Sequence, residues 1–176
     1  MISDKRVLVV GSGGREYAFA WKFSKDSEVS KVYCAPGNGG TQLFANNIEL
    51  DAGDHKQVLD TIHKLGIDLT VIGPEGPLAD GIVDYLELNR VRVFGPDQFA
   101  SQLESSKLFA RDLMDEYNVP QPKYARCSSK DAVVDIKNNW GFPIVIKADG
   151  LAAGKGVIIC DDENSFDDAM DAMFND

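Results

Sequence analysis

The chain has 176 residues, of which 44% are hydrophobic and 26% are charged, and its net charge is −10. This composition is typical of a globular protein and excludes a disordered chain, while the length allows one complete domain and part of a second. The negative charge argues against nucleic acid as the main partner, and no apolar run approaches the roughly 20 residues that a membrane-spanning helix needs.

Strands and helices alternate in the sequence before Pro96, which predicts a parallel sheet with right-handed crossovers. The predicted strands are Arg6–Val10, Lys31–Ala35, Leu69–Gly73 and Val91–Gly95. The predicted helices are Glu16–Ser27, His55–Leu65 and Gly81–Glu87. In the first helix, apolar residues at helical spacing are Tyr17, Ala20, Trp21 and Ser24, with Phe19 and Phe23 beside them. In the second helix Val58, Leu59, Ile62 and Leu65 share one face, and in the third Ile82, Val83 and Leu86 point inward.

The pattern changes after Pro96. The sequence predicts one long helix over Phe99–Tyr117, with an apolar stripe formed by Leu108, Phe109, Leu113 and Tyr117. A second unit follows, with a strand near Lys123–Arg126, a helix at Asp131–Asn139, a glycine-rich hairpin and a helix at Ser165–Phe174. This unit offers too few strands to bury its sheet, so we expect the chain to be a fragment. We predict domains at 1–98 and 121–176, connected by 99–120.

The first glycine turn, Gly11–Glu16, follows a strand and opens a helix, where a parallel sheet binds phosphates. A dinucleotide fingerprint needs glycine at its sixth position, which is Glu16 here. It also needs an acidic residue after the second strand, where Ala35–Gly37 stands instead. NAD-dependent oxidoreduction is therefore disfavoured.

A single phosphate at this turn is still compatible with the sequence. The backbone N–H groups of Gly13 and Gly14 and the guanidinium group of Arg15 would bind it. The alternative is a tight strand-to-helix turn whose arginine points to water.

Three further loops leave the same edge of the predicted sheet, and loops after parallel strands converge on one ligand crevice. They are Ala35–Gly40, Gly73–Gly81 and Gly95–Asp97. Glu75 and Asp80 could bind ribose hydroxyls or an amine, and Asn38 a phosphate or sugar. Each is also a common turn residue, so only their shared edge favours a site.

The hairpin over Pro143–Cys160 carries a second candidate site. Two β-branched runs flank a loop with three glycines, which presents bare backbone N–H groups to a close ligand. Lys147 ends the first strand and Lys155 lies in the loop, so the sequence predicts an anionic ligand such as a triphosphate. The alternative is a hairpin with a long glycine turn and solvated lysines.

Cysteine and histidine patterns bear on location and metals. Cys34, Cys127 and Cys160 are far apart and form no CxxC pair, which is typical of reduced thiols in a cytoplasmic protein. His55 and His63 lack neighbouring ligands, so no metal site is predicted within the chain.

Together, the motifs GSGGRE, APGN, GPE-x-PLADG, FGP and KADGLAAGKGV closely resemble the glycinamide ribonucleotide synthetase (phosphoribosylamine–glycine ligase) family, in that family's order. The longest, Lys147–Val157, is highly specific. The resemblance implies a small Rossmann-like, pre-ATP-grasp α/β domain, followed by an incomplete ATP-grasp domain whose smaller subdomain begins near Gln121. It also implies a step of purine synthesis, in which ATP converts glycine to glycyl phosphate and the amine of 5-phosphoribosylamine attacks it.

The resemblance also implies roles for individual residues, while catalytic residues remain unknown. The ATP-facing set is Lys107, Lys147, Asp149, Gly150, Leu151, Ala152, Ala153, Gly154, Lys155 and Gly156. The set facing phosphoribosylamine is Gly11, Gly13, Gly14, Arg15, Gly37, Asn38, Glu75 and Asp80. Magnesium is an implied cofactor whose ligands, like the glycine site, we expect outside this chain. Tyr17 stands where the family commonly has histidine.

Three interpretations remain open. The first is the N-terminal part of this ligase, whose partner is the rest of the same polypeptide; we expect it to be inactive by itself because it lacks the metal ligands. The second is a related ATP-grasp ligase or carboxylase acting on another carboxylate. The third is a non-catalytic nucleotide-binding module.

Overall fold

The computed structural model describes residues 4–152 and 156–174. The chain forms two compact units, Met1–Ser101 and Gln102–Asp176. Within the described residues, no helix combines the length and apolar character required to cross a membrane. The predicted division at residue 98 stays a prediction.

The first unit is built on a five-stranded sheet in the order β3-β2-β1-β4-β5, with every neighbouring pair parallel. The strands are β1 (Lys5–Gly11), β2 (Val29–Pro36), β3 (Asn46–Asn47), β4 (Leu69–Ile72) and β5 (Val93–Phe94). Its helices are α1 (Gly14–Ser24), α2 (His55–Leu65), α3 (Glu75–Ala79) and α4 (Ile82–Leu88). The predicted α/β class, the four strands and their parallel arrangement are confirmed.

Both faces of the central strand β1 are buried, as expected for a parallel strand covered by helices on either side. Leu8 and Val10 belong to one core cluster together with Val58 of α2 and Leu86 of α4. Val7 and Val9, which alternate with them, belong to a second cluster that includes Ala20 of α1. The period of two along β1 therefore divides the unit into two apolar layers.

Helix α2 has the predicted bounds because its ends are marked in the sequence. Asp54 caps the N-terminus by accepting a hydrogen bond from the Gln57 N–H at 2.9 Å. Gly66 ends the helix in the left-handed conformation at φ 62°. The inward residues of α2 and α4 are also confirmed, since all are buried except Leu65, which is partly buried.

The apolar residues that spacing groups in α1 do not coincide with its buried face. Trp21 is 48% exposed and Tyr17 is 38% exposed, whereas Glu16 and Ala20 are buried. Glu16, Ala20 and the partly buried Phe19 and Phe23 are spaced as one helical face. Because Glu16 is polar, apolar spacing alone did not assign it to the buried face.

Two other predictions for this part of the chain need correction. Glu75–Ala79 forms the short helix α3, where a loop was predicted. The long helix predicted at Phe99–Tyr117 is two helices, α5 (Gln98–Ser105) and α6 (Lys107–Glu116). Ser106 separates them because its hydroxyl accepts a hydrogen bond from the Phe109 N–H at 3.1 Å, which caps α6.

The predicted apolar stripe of α6 is covered only in part. No residue of this fully described helix is buried, and Leu108 is 38% exposed. Tyr117, just beyond the helix, is 67% exposed. Phe109 and Leu113, between them, are partly buried.

The second unit contains an antiparallel hairpin packed on two helices. The elements are α7 (Lys130–Trp140), β6 (Ile144–Lys147), β7 (Val157–Cys160) and α8 (Glu163–Phe174). One hairpin face, with Ile144, Ile146 and Ile158, packs on a core of Val133, Cys160, Phe166, Ala169 and Met170. The hairpin and both helices confirm the prediction. The strand predicted near Lys123–Arg126 is wrong, because this described segment joins neither strand of the hairpin sheet.

Candidate functional site

A cleft of about 490 Å³ lies at the carboxyl edge of the first unit's sheet. The sheet order places β1 in the centre, with β2 on one side and β4 on the other, and the residues after these three strands open into the cleft. This is the topological switch point, where open parallel sheets bind their ligands. The lining residues are Gly11, Ser12, Gly13, Gly14, Arg15, Glu16, Ala35, Pro36, Leu50, Asp51, Ala52, Pro74 and Glu75.

The structure brings together part of the predicted substrate set. Gly11, Gly13, Gly14, Arg15 and Glu75 line the cleft, whereas Gly37, Asn38 and Asp80 do not. Sequence reasoning missed Leu50, Asp51 and Ala52, which follow the two-residue strand β3. A strand that short leaves little signal in a sequence.

Glu16 holds the glycine turn from inside. Its side chain is only 4% exposed, and its Oε2 atom accepts a hydrogen bond from the Gly13 N–H at 2.6 Å. Gly13 is the N-cap of α1, and a glycine has no side chain with which to return the bond. The carboxylate therefore lies at the positive end of the helix dipole.

The same carboxyl group explains glycine on two neighbouring strands. A Cβ atom at Gly11, where φ is +126°, would lie 2.6 Å from the Glu16 Cγ atom. A Cβ atom at Gly73, directly after β4, would overlap the Glu16 carboxyl group. Glu16 is thus wedged between the ends of β1 and β4.

The Arg15 side chain also contributes to this packing. Its guanidinium group donates a hydrogen bond to the Gly73 carbonyl oxygen. The sequence suggested three donors for a phosphate: the N–H groups of Gly13 and Gly14 and the guanidinium group of Arg15. Two of them already have partners within the protein, since Gly13 donates to Glu16 and Arg15 to Gly73. Both groups hold the turn against β4.

Asn38 joins the loop after β2 to the glycine turn. Its Nδ2 donates to the Ser12 carbonyl at 2.9 Å, and its Oδ1 accepts from the Gly40 N–H at 2.8 Å. Gly37, at φ +72°, donates its N–H to the Gly11 carbonyl at 3.0 Å. These two residues shape the wall of the cleft without lining it.

Tyr17, which follows Glu16 in α1, packs beside this loop. Its ring meets the Phe44 ring edge to face with centroids 5.2 Å apart. A Cβ atom at Gly40 would lie 2.8 Å from the Tyr17 ring. The aromatic ring therefore fills space under the loop.

The two acidic residues of the third loop are placed differently. Glu75 begins α3 and lines the cleft. Asp80 follows the C-terminus of α3, and its side chain is 70% exposed. Its carboxylate lies 3.5 Å from the His55 Nε2 atom. Only Glu75 faces the cleft.

In the second unit, the predicted phosphate lysine Lys107 lies against the glycine loop. Its ammonium group donates to the Gly150 carbonyl at 2.9 Å. Lys147 ends β6, exposed, opposite Val157 of β7. The Ala148 N–H donates to the Gly156 carbonyl at 2.8 Å and continues the hairpin into the loop.

The loop is described in part. Leu151 is 45% exposed and Ala152 is partly buried. Ala153, Gly154 and Lys155, which were predicted to face ATP, lie outside the described residues.

Asp149 joins the start of the loop to the start of α6. Its carboxylate accepts hydrogen bonds from the Leu108 N–H at 3.2 Å and from the Ser106 hydroxyl at 3.2 Å. Burial acts to raise the pKa of Asp149, but hydrogen bonds from backbone N–H groups, with a smaller contribution from Ser106, hold that pKa below its usual range.

Neither the Cys34 thiol nor a metal-binding cluster adds a reactive group to these sites within the described residues. Burial raises the pKa of the Cys34 thiol to about 11, which leaves it protonated and a poor nucleophile. Within residues 4–152 and 156–174, no group of three or more His, Cys, Asp or Glu side chains is placed to hold a metal ion.

Comparison with known families assigns both units. Residues 5–104 match the phosphoribosylglycinamide synthetase N domain, and residues 105–176 match the ATP-grasp (A) domain of the same synthetase. The chain belongs to the phosphoribosylglycinamide synthetase family. The resemblance in the motifs is thereby confirmed, and so is the ATP-grasp assignment of the second part.

Individual relatives agree with this assignment. The phosphoribosylamine–glycine ligase of Neisseria meningitidis serogroup B is 46% identical over 171 residues, covering 97% of this chain and 40% of the relative. The crystal structure of phosphoribosylamine–glycine ligase from Thermotoga maritima matches with a TM-score of 0.72 at 30% identity, covering 96% of this chain and 38% of that one. The chain spans about 40% of the length of the curated relatives it matches.

A more distant likeness concerns the fold alone. The biotin carboxylase domain of Hydrogenobacter thermophilus 2-oxoglutarate carboxylase, solved with MgADP, ADP and bicarbonate, has a TM-score of 0.74 at 19% identity. The match covers 97% of this chain and 40% of that one.

Proposed function

We propose that this chain provides the N-terminal domain and the start of the ATP-grasp domain of a phosphoribosylamine–glycine ligase. In this reaction a carboxylate oxygen of glycine attacks the γ-phosphorus of ATP, which forms glycyl phosphate and releases ADP. The amine nitrogen of 5-phosphoribosylamine then attacks the glycyl carbonyl carbon, phosphate leaves, and glycinamide ribonucleotide is formed. The observation that carries the proposal is the match of both units to domains of one synthetase.

The cleft of the first unit is the proposed site for phosphoribosylamine. Glu75 and the newly found Asp51 offer carboxylates to the ribose hydroxyls and the amine, which are hydrogen-bond donors. Gly11, Gly13 and Gly14 allow a close approach of the backbone, and Gly37 and Asn38 hold the adjoining wall. Asp80 does not line the cleft and lies beside His55, so its role in binding stays a prediction.

ATP is proposed to bind at the loop between β6 and β7. Phosphoryl transfer needs fixed positive charge and backbone donors because negative charge moves between oxygens. The ammonium groups of Lys147 and Lys107 would supply the charge, and loop residues 149–156 the backbone N–H groups. Lys107 would have to exchange the Gly150 carbonyl for a phosphate oxygen.

Magnesium is the proposed partner of ATP, as in the MgADP complex of the distant structural neighbour. The described residues offer no acidic cluster for it, so we propose ligands elsewhere in the longer polypeptide and assign it no step here. A cytoplasmic location is also proposed, supported by three free cysteines.

The test is ADP release with purified protein. We expect release that depends on both glycine and freshly generated phosphoribosylamine in the full-length protein, and no turnover by residues 1–176. Release that depends on a different carboxylate would favour another ATP-grasp ligase. Nucleotide binding by the full-length protein without any turnover would favour a non-catalytic module.

A further inference from the structure

The charges around the cleft are not those of a phosphate site. Arg15 is the one cationic side chain in the lining, all of which is described, and its guanidinium group is bound to the Gly73 carbonyl. The acidic residues of the lining are Glu16, Asp51 and Glu75. A phosphate entering the turn would meet more negative than positive charge.

The position that an anion would take at the N-terminus of α1 is already filled. A helix N-terminus binds anions through its free N–H groups and its dipole. Here the Glu16 Oε2 accepts the Gly13 N–H at 2.6 Å, and the side chain is buried with only 4% exposed. The protein therefore supplies its own anion to the glycine turn.

We propose that Glu16 is a specificity-determining residue that closes the glycine turn to phosphate groups. Its carboxylate occupies the Gly13 donor and repels a second anion, so the turn, unlike a dinucleotide-binding turn, accepts neither a phosphate nor a pyrophosphate. The cleft then receives the hydroxyl and amine end of its ligand. The identity of that ligand rests on the proposed function, whereas the exclusion of phosphate does not.

The wedged position of Glu16 distinguishes this role from ordinary helix capping. Glycine at both Gly11 and Gly73 leaves room for the carboxyl group between β1 and β4. A cap alone would need only the Gly13 contact. The ends of β1 and β4 thus leave space for this side chain beyond what a cap requires.

The experiment is an NMR titration of residues 1–176 with inorganic phosphate and with pyrophosphate, following the amide signals of Gly13 and Gly14. Glu16→Ala removes the carboxylate and frees the Gly13 N–H, whereas Glu16→Gln removes the charge and keeps an oxygen that can accept that N–H. We expect no saturable shift in the wild type and saturable binding to Glu16→Ala, because the occupying group and the repelling charge are both removed.

Glu87→Ala is the matched control, because it removes the same charge from an exposed position on α4. It should behave as the wild type, which would exclude a general effect of net charge. Saturable binding of phosphate at Gly13 and Gly14 in the wild type, or no binding by a folded Glu16→Ala, would overturn the proposal. If Glu16→Ala does not fold, Glu16→Gln and the wild type are compared with pyrophosphate at higher concentration, where equal affinity would count against the proposal; ADP release by the full-length protein tests the proposed function separately.

Discussion

The ammonium group of Lys107 donates a hydrogen bond to the carbonyl oxygen of Gly150, 43 residues later in the chain. The bond links the first residue of α6 to the loop that follows β6. It places a cation at the predicted nucleotide loop. Lys107 can therefore be tested as a link within the protein and as a phosphate ligand.

Lys107→Met should weaken ATP binding by the full-length protein, because the variant keeps the length of the side chain and loses its charge. We expect the KM for ATP to rise about tenfold or more, the usual scale for a lost charged hydrogen bond. Steady-state kinetics at saturating glycine would measure this. Lys64→Met, on the exposed side of α2, is the control, and an equal KM in both variants would contradict the role of Lys107.

Asp149→Asn should reduce the stability of the second unit in a pH-dependent way. The pKa of Asp149 is lowered in the folded protein, so its ionised form contributes stability above the unfolded pKa, and this contribution is lost as the pH falls through the folded pKa. Urea unfolding at neutral and at acidic pH would show the difference. Wild type and variant should differ at pH 7 and converge in acid; a gap that persists in acid would argue for a different cause.

Ser106→Ala should cost about 1 kcal/mol of unfolding free energy, since the hydroxyl caps α6 through the Phe109 N–H. Chemical denaturation followed by circular dichroism measures the change. Ser105→Ala, one residue earlier and inside α5, removes a similar hydroxyl without removing this cap. Equal losses in the two variants would show that the break at Ser106 is not maintained by its side chain.

Gly73→Ala should destabilise the first unit by roughly 1–3 kcal/mol, because its methyl group would overlap the buried Glu16 carboxyl group. Gly76→Ala is the matched control, since nothing lies within 4 Å of a Cβ atom at that helical position. The control should be neutral or slightly stabilising. If both variants unfold at the same denaturant concentration, the tight packing around Glu16 is not supported.

Thiol labelling should separate the three free cysteines. Cys34 and Cys160 are buried, whereas Cys127 is partly exposed, and burial raises the pKa of all three thiols. Cys127 should therefore react first with iodoacetamide in the native protein. Peptide mass spectrometry after timed quenching would give the order, and labelling of Cys34 before Cys127 would be inconsistent with the fold described.

The sequence was sufficient to predict the bounds of an element when its apolar pattern and its end signals mark the same residues. Helix α2 combines an aspartate cap, an apolar face and a terminal glycine, so its bounds were predictable. Helix α1 was not, because its inward face carries Glu16 while its largest aromatic residue, Trp21, is exposed. The break at Ser106 was missed because a serine within an apolar pattern does not by itself mark a cap.

The candidate sites were predictable at the level of loops and less so at the level of atoms. Parallel topology placed Gly11 and Glu75 at one edge, and both line the cleft. Whether the Gly13 N–H was free depended on the rotamer of Glu16, which no sequence pattern reports. Likewise, the contact between Lys107 and Gly150 spans a sequence distance that only the tertiary fold closes.

The hydrogen bond from Arg15 to the Gly73 carbonyl joins positions 58 residues apart. The neighbouring Glu16 side chain is enclosed between the end of β1, at Gly11, and the end of β4, at Gly73. A short peptide containing β1 and α1 would have the full glycine motif but not the surface that encloses it. Bringing together residues of such separation costs more chain entropy than a local contact does. The cleft is therefore complete only when β4 has docked on β1.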